Sequence, residues 1–177
     1  MKCIAHRGYS LKYRDNSIEA IREAIHREYD GVEIDIQLCG TGEIVLHHDV
    51  YLGDHFIGDM TLEELKKEGI CSLRDVYDQV PEIRKTLLIV DIKGNNYGVL
   101  EALSIFYENE PTRNVFFCSF NRKFVHNLPR TFQRGSTFET TFSDDEYDMI
   151  TRGLSVVVLH WTCLDHHFIS YCKMKDI

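Results

Sequence analysis

Residues 32–38 read Val-Glu-Ile-Asp-Ile-Gln-Leu. The alternation is strict. Val32, Ile34, Ile36 and Leu38 fall on one face of an extended strand, and Glu33, Asp35 and Gln37 fall on the other. Upstream, Lys2 to Ala5 reads as a short strand. Asn16 to Tyr29 carries Ile18, Ile21, Ala24 and Ile25 at helical spacing, with Asp15 or Asn16 as N-cap and Gly31 as the stop. Downstream, Gly40-Thr41-Gly42 predicts a hairpin into Glu43 to His48. Thr61 and Glu64 form a capping box that opens a helix to Glu68, and Ser72 opens another through Val80. Further strands are expected at Leu87 to Lys93, Val115 to Phe120, Ser136 to Phe138 and Leu154 to His160, with helices at Tyr97 to Glu108, Arg122 to Leu128 and His166 to Lys173. Strands alternating with helices of this length predict a parallel sheet with crossover helices, either a Rossmann-like open sheet or a (β/α) barrel. No Gly-x-Gly-x-x-Gly turn follows the first strand.

The 177 residues, 44% of them hydrophobic, suffice for one substantial core, so one domain over 1–177 is expected. A net charge of -8 argues against a nucleic-acid partner, which needs clustered Lys and Arg. The longest apolar run, Leu154 to Leu159, is far shorter than the roughly 20 residues of a membrane helix. The first residues lack the apolar core of a signal peptide, which sets a cytoplasmic location as the expectation. Six cysteines at 3, 39, 71, 118, 163 and 172 show no Cys-x-x-Cys or zinc-like spacing and read as free thiols.

Polar groups gather at the ends of successive expected strands: His6-Arg7-Gly8, Glu33-x-Asp35, His47-His48-Asp49 and Asp91-x-Lys93. Each has an ordinary explanation when taken alone, as an edge-strand face, a turn or a surface ion pair. Their joint placement is where barrel enzymes keep their sites. Residues two apart on a strand point the same way, so Glu33 pairs with Asp35, and Asp91 with Lys93. Three converging carboxylates without thiolates suit a hard divalent cation, Mg²⁺ or Ca²⁺. His126, His160, His166 and His167 read as structural or surface residues.

In order, Ala5-His6-Arg7-Gly8, Asp15-Asn16-Ser17 with Glu19-Ala20, Gly31-Val32-Glu33-Ile34-Asp35 and His48-Asp49 resemble the signature of glycerophosphodiester phosphodiesterases. The likeness continues through residues 61–65, 72–76 and Ser119-Phe120. It implies a TIM-like (β/α) barrel, here incomplete, with about six barrel strands. It implies Glu33, Asp35 and Asp91 as ligands of one divalent cation, His6 as base and His48 as acid, and Arg7 and Lys93 on the substrate phosphate. The implied activity is cleavage of a glycerophosphodiester to glycerol phosphate and an alcohol, with a cyclic phosphate as the intermediate. A catalytically impaired binding protein and a lysophospholipase or sphingomyelinase D-like enzyme are the alternatives, so the small-molecule partner is a glycerophosphodiester or a lysophospholipid. The sequence departs from the family at Asp91, where Glu is usual, and at Arg14-Asp15, where Pro-Glu is usual. An open barrel leaves strand edges exposed, and a homodimer covering the gap is expected.

Overall fold

The computed structural model describes residues 2–177. Its first strand, β1 (Ile4–His6), is followed by α1 (Ile18–His26), the long strand β2 (Gly31–Leu38) and β3 (Ile44–Leu46). A small hairpin, β4 (Tyr51–Leu52) and β5 (His55–Phe56), precedes α2 (Leu62–Lys67) and α3 (Leu73–Gln79). Then come β6 (Leu87–Ile92), α4 (Gly98–Phe106), β7 (Val115–Ser119), α5 (Arg122–Asn127), β8 (Gln133–Phe138), α6 (Tyr147–Thr151), β9 (Val156–Leu159) and α7 (His166–Met174).

Six strands run parallel in the order β1-β2-β6-β7-β8-β9 and form an incomplete TIM-like barrel, with the connecting helices on its outside. Among the described residues, the outer edges of β1 and β9 have no strand partner. The parallel barrel resolves the choice that hydrophobic periodicity left open. Val32, Ile34 and Ile36 are fully buried in the main core with Ile21, Leu73, Val76 and Leu103 from the flanking helices. Removing each such side chain from water stabilises the fold by about 1.5–3 kcal/mol. The opposite face of β2 is thereby turned into the barrel, taking Glu33, Asp35 and Gln37 with it.

The strand β3 completes this geometry. β2 pairs with β1 only through Glu33, and with β6 along its whole other edge as far as Ile36. Antiparallel β3 takes the remaining edge from Ile36 to Leu38. The chain leaving β3 therefore carries His47, His48 and Asp49 above the end of β1, and the Gln37 amide donates to the carbonyls of His47 (2.9 Å) and Asp49 (2.8 Å) to hold that turn.

Two local readings are corrected. The N-cap of α1 is Ser17, whose Oγ accepts from the Ala20 N–H at 3.1 Å, not Asp15 or Asn16. Gly31 does not stop that helix, which ends at Arg27 with Glu28 left-handed. Gly31 is the first residue of β2, and a Cβ there would meet the Leu87 carbonyl oxygen at 2.6 Å and the Leu87 Cδ2 at 2.7 Å. The β2–β6 approach requires a hydrogen at this position, so Gly31→Ala is expected to cost about 1–3 kcal/mol. Urea unfolding monitored by circular dichroism checks it, and an unchanged midpoint would show that the strands separate freely. The capping boxes at Thr61 and Ser72 form as expected, and all six cysteines are free.

Candidate active site

The site lies at the C-terminal ends of β1, β2 and β6, and its local shape begins in the loop after β1. Arg7 adopts φ 58°, a conformation that costs a non-glycine residue energy. That turn aims the Arg7 backbone N–H at Glu33 Oε2 (3.0 Å). It also sends the Arg7 guanidinium between Asp15, with Nη1 to Oδ2 at 3.0 Å, and Asp35, with Nε to Oδ2 at 3.1 Å. The second contact is an ion pair without hydrogen-bond alignment. Asn16 is also left-handed, at φ 59°, and its backbone N–H donates to the Arg7 carbonyl at 3.0 Å.

Glu33, Asp35 and Asp91 each present a carboxylate oxygen, and the three oxygens lie within 4.8 Å of one another. Register explains the convergence, because Asp35 is paired directly with Asp91 across the parallel β2–β6 ladder. Lys93, just past β6, places Nζ 2.7 Å from Asp91 Oδ2 and 3.1 Å from Asp35 Oδ1. Its backbone N–H is tied to the Ile36 carbonyl at 2.8 Å.

Electrostatics follow from crowding negative groups in a buried place. Burial, reinforced by the Asp35 charge, pushes the Glu33 carboxyl up to about 8. Burial also raises Asp91, against the pull of Lys93. Burial alone would lower the Lys93 ammonium, but its two carboxylate neighbours outweigh that and raise it. Asp91 Oδ1 is buried with no hydrogen-bond partner among the described residues. A buried carboxylate oxygen is costly to leave unpaired. An all-oxygen set with one orphaned oxygen fits a hard divalent cation, so these residues could hold one.

His6 Nε2 is 3.9 Å from Glu33 Oε2 at the mouth. The side chain keeps 70% of its surface in water, within reach of a ligand. The part pressed against the barrel, together with the Arg7 guanidinium, lowers its pKa below 6.5. His48 Nδ1 is 2.8 Å from Asp49 Oδ1. All seven residues singled out in the sequence are thus brought to one end of the sheet: His6, Arg7, Glu33, Asp35, His48, Asp91 and Lys93. Two further residues, which the sequence motifs include without giving them a place in the site, adjoin the cluster. Asn16 is hydrogen-bonded to Asp35, and Phe120, following β7, lies with its ring centroid 5.6 Å from Lys93 Nζ.

Fold and site together define a (β/α) barrel with a cluster of three carboxylates at the C-terminal end of its strands. Residues 6–89 match the model of the glycerophosphoryl diester phosphodiesterase family. Glycerophosphodiester phosphodiesterase 1 of Bos taurus is 28% identical over 154 residues, covering 75% of this chain and 46% of that protein. The glycerophosphodiester phosphodiesterase of Caldanaerobacter subterraneus is 42% identical over 69 residues, covering 36% and 28%. The chain therefore spans less than half the length of these curated relatives. Among solved structures, a glycerophosphodiester phosphodiesterase from Thermotoga maritima superimposes with a TM-score of 0.84 at 22% identity, covering 100% of this chain and 83% of that one. An Oleispira antarctica phosphodiesterase in complex with the product sn-glycerol-3-phosphate gives 0.86 at 22%, covering 99% and 81%. At such identities the structures establish the barrel.

Proposed function

We propose that the chain cleaves glycerophosphodiesters to glycerol phosphate and an alcohol, with a divalent cation bound by Glu33, Asp35 and Asp91. The observation that carries this is the convergence of three carboxylates, two buried and Glu33 partly so, beside two histidines and two cations. A bound Mg²⁺ or Ca²⁺ supplies Lewis-acid polarisation of a phosphate oxygen. Arg7 and Lys93 orient the phosphodiester by charge-assisted hydrogen bonds. His6, kept neutral near pH 7 by its lowered pKa, takes the proton of the glycerol hydroxyl adjacent to the phosphate as that oxygen forms its bond to phosphorus. His48, paired with Asp49, gives a proton to the leaving oxygen as its bond to phosphorus breaks. The products are a cyclic phosphate and an alcohol, and water opens the ring in a second step with the histidine roles reversed. The product bound in the Oleispira relative supports the substrate class.

A lysophospholipid is the second reading, favoured by Phe120, just past β7, and Trp161, which opens a 3₁₀ turn just past β9; they stand 48% and 74% exposed at the same end of the barrel. The acyl chain that a lysophospholipid carries on its glycerol would meet these rings.

Glycerophosphocholine and lysophosphatidylcholine, each incubated with Mg²⁺, Ca²⁺ or EDTA, decide between the two. Release of glycerol phosphate from the first that stops with EDTA is the expected result, and no release from either by folded protein would remove the reading. The expectation of a homodimer rests on the unpaired edges of β1 and β9 alone. Light scattering that finds a monomer of ordinary stability would dismiss it.

A further inference from the structure

The left-handed Asn16 does something that its place before a helix does not require. Its side chain turns away from α1 and grips Asp35 twice: Nδ2 donates to Asp35 Oδ2 at 2.9 Å, and Oδ1 accepts from the Asp35 backbone N–H at 3.0 Å. Both residues are buried, at 4% and 1% exposure. Arg7 Nε approaches the same Oδ2 at 3.1 Å, while Oδ1 meets Lys93 Nζ at 3.1 Å. The Asp35 carboxylate is thus held in one rotation, with Oδ2 engaged by Asn16 and Arg7 and Oδ1 by Lys93.

We infer that Asn16 is a positioning residue for the cation site, fixing Asp35 as a ligand through a single oxygen. The inference rests on the proposed cation site. Asparagine meets three demands at this position. It tolerates the left-handed backbone better than most side chains. It offers a donor and an acceptor on one short side chain. It carries no charge to oppose a neighbouring carboxylate. Aspartate would set a second carboxylate against Asp35 Oδ2, and glutamine would be a methylene too long. Groups that orient a metal ligand in this way typically change metal affinity about 10- to 100-fold when removed.

The test uses Asn16→Gly, which keeps the backbone free to adopt φ 59° while deleting the grip. Its companion is Ser17→Ala, which removes the adjacent helix cap without touching Asp35. Calorimetric titration with Mg²⁺ and with Ca²⁺ reads affinity apart from turnover. Asn16→Gly is expected to weaken cation binding at least tenfold and to raise by the same factor the cation concentration needed for half-maximal turnover, with kcat largely recovered at saturation. Ser17→Ala is expected to lower the melting temperature and leave cation affinity unchanged. Wild-type affinity in Asn16→Gly overturns the inference, as does equal weakening in Ser17→Ala, which would make the role one of helix stability. If the wild-type protein binds neither cation, the proposed cation site falls and this inference falls with it. If the wild type binds and Asn16→Gly binds equally well, only the inference falls.

Discussion

Replacing Asp91 by Asn is expected to lower divalent-cation affinity at least about 100-fold, or about 2.8 kcal/mol, while Asp91→Glu stays within about tenfold of the wild type. The residue is buried, its Oδ1 has no partner among the described residues, and its Oδ2 is held by Lys93 at 2.7 Å. Asparagine keeps a similar shape and one oxygen but removes a full negative charge from a site whose affinity rises with ligand charge. The longer Glu retains the charge and the oxygens, and the family usually places Glu at this point. The cation-free variant should fold normally, because Lys93 keeps its 3.1 Å contact with Asp35 and the charge removed was itself disfavoured by burial. Titration calorimetry reads the affinities, and an Asp91→Asn protein that binds as tightly as the wild type would exclude Asp91 as a ligand. The same titration should depend on pH with a definite sign. In the cation-free protein the Glu33 carboxyl is raised to about 8 by burial and by Asp35, so at pH 7 it is mostly protonated. Binding must then release that proton, and apparent affinity should climb as pH rises toward about 8.

The β2 strand was legible because its two faces meet different environments, and a period of two records that directly. Val32, Ile34 and Ile36 pack under helices while Glu33 and Asp35 look into the barrel. The motif residues at the ends of β1, β2 and β6 were legible for a related reason, since each lies within two or three residues of a strand whose place the apolar pattern marks. Asn16 was not. Asn, Asp and Ser are nearly interchangeable as helix caps, and what separates Ser17 from Asn16 is a contact with Asp35, 19 residues away, which no local pattern encodes. The β4–β5 hairpin and α6 escaped because strands of two residues and a helix of five are too short to show a period. The β8 strand begins three residues earlier than expected, at Gln133, because Gln-Arg-Gly looks like a loop until β7 supplies its partner.

His6→Ala is expected to reduce turnover by about 10²–10⁴-fold on every glycerophosphodiester, and His48→Ala by a factor that depends on the leaving group. A base acts on the attacking hydroxyl, which is the same whatever alcohol departs, so its loss is felt equally with choline and with p-nitrophenol. An acid serves the departing oxygen, and p-nitrophenolate leaves without needing a proton. In the first step, read as single-turnover release of the alcohol, His48→Ala should therefore be severely impaired on glycerophosphocholine and close to the wild type on glycerophospho-p-nitrophenol, with the cation kept saturating in both assays. The pH profile adds a second check. The lowered pKa of His6 keeps its ring neutral into mildly acidic solution, so the acid limb of kcat/KM should have its midpoint below 6.5. That limb should vanish in His6→Ala and persist in His48→Ala. A reversed leaving-group pattern would exchange the two roles. Equal loss on both substrates in His48→Ala would move His48 from proton transfer to holding the phosphate, a place its position beside Asp49 above the end of β1 also allows.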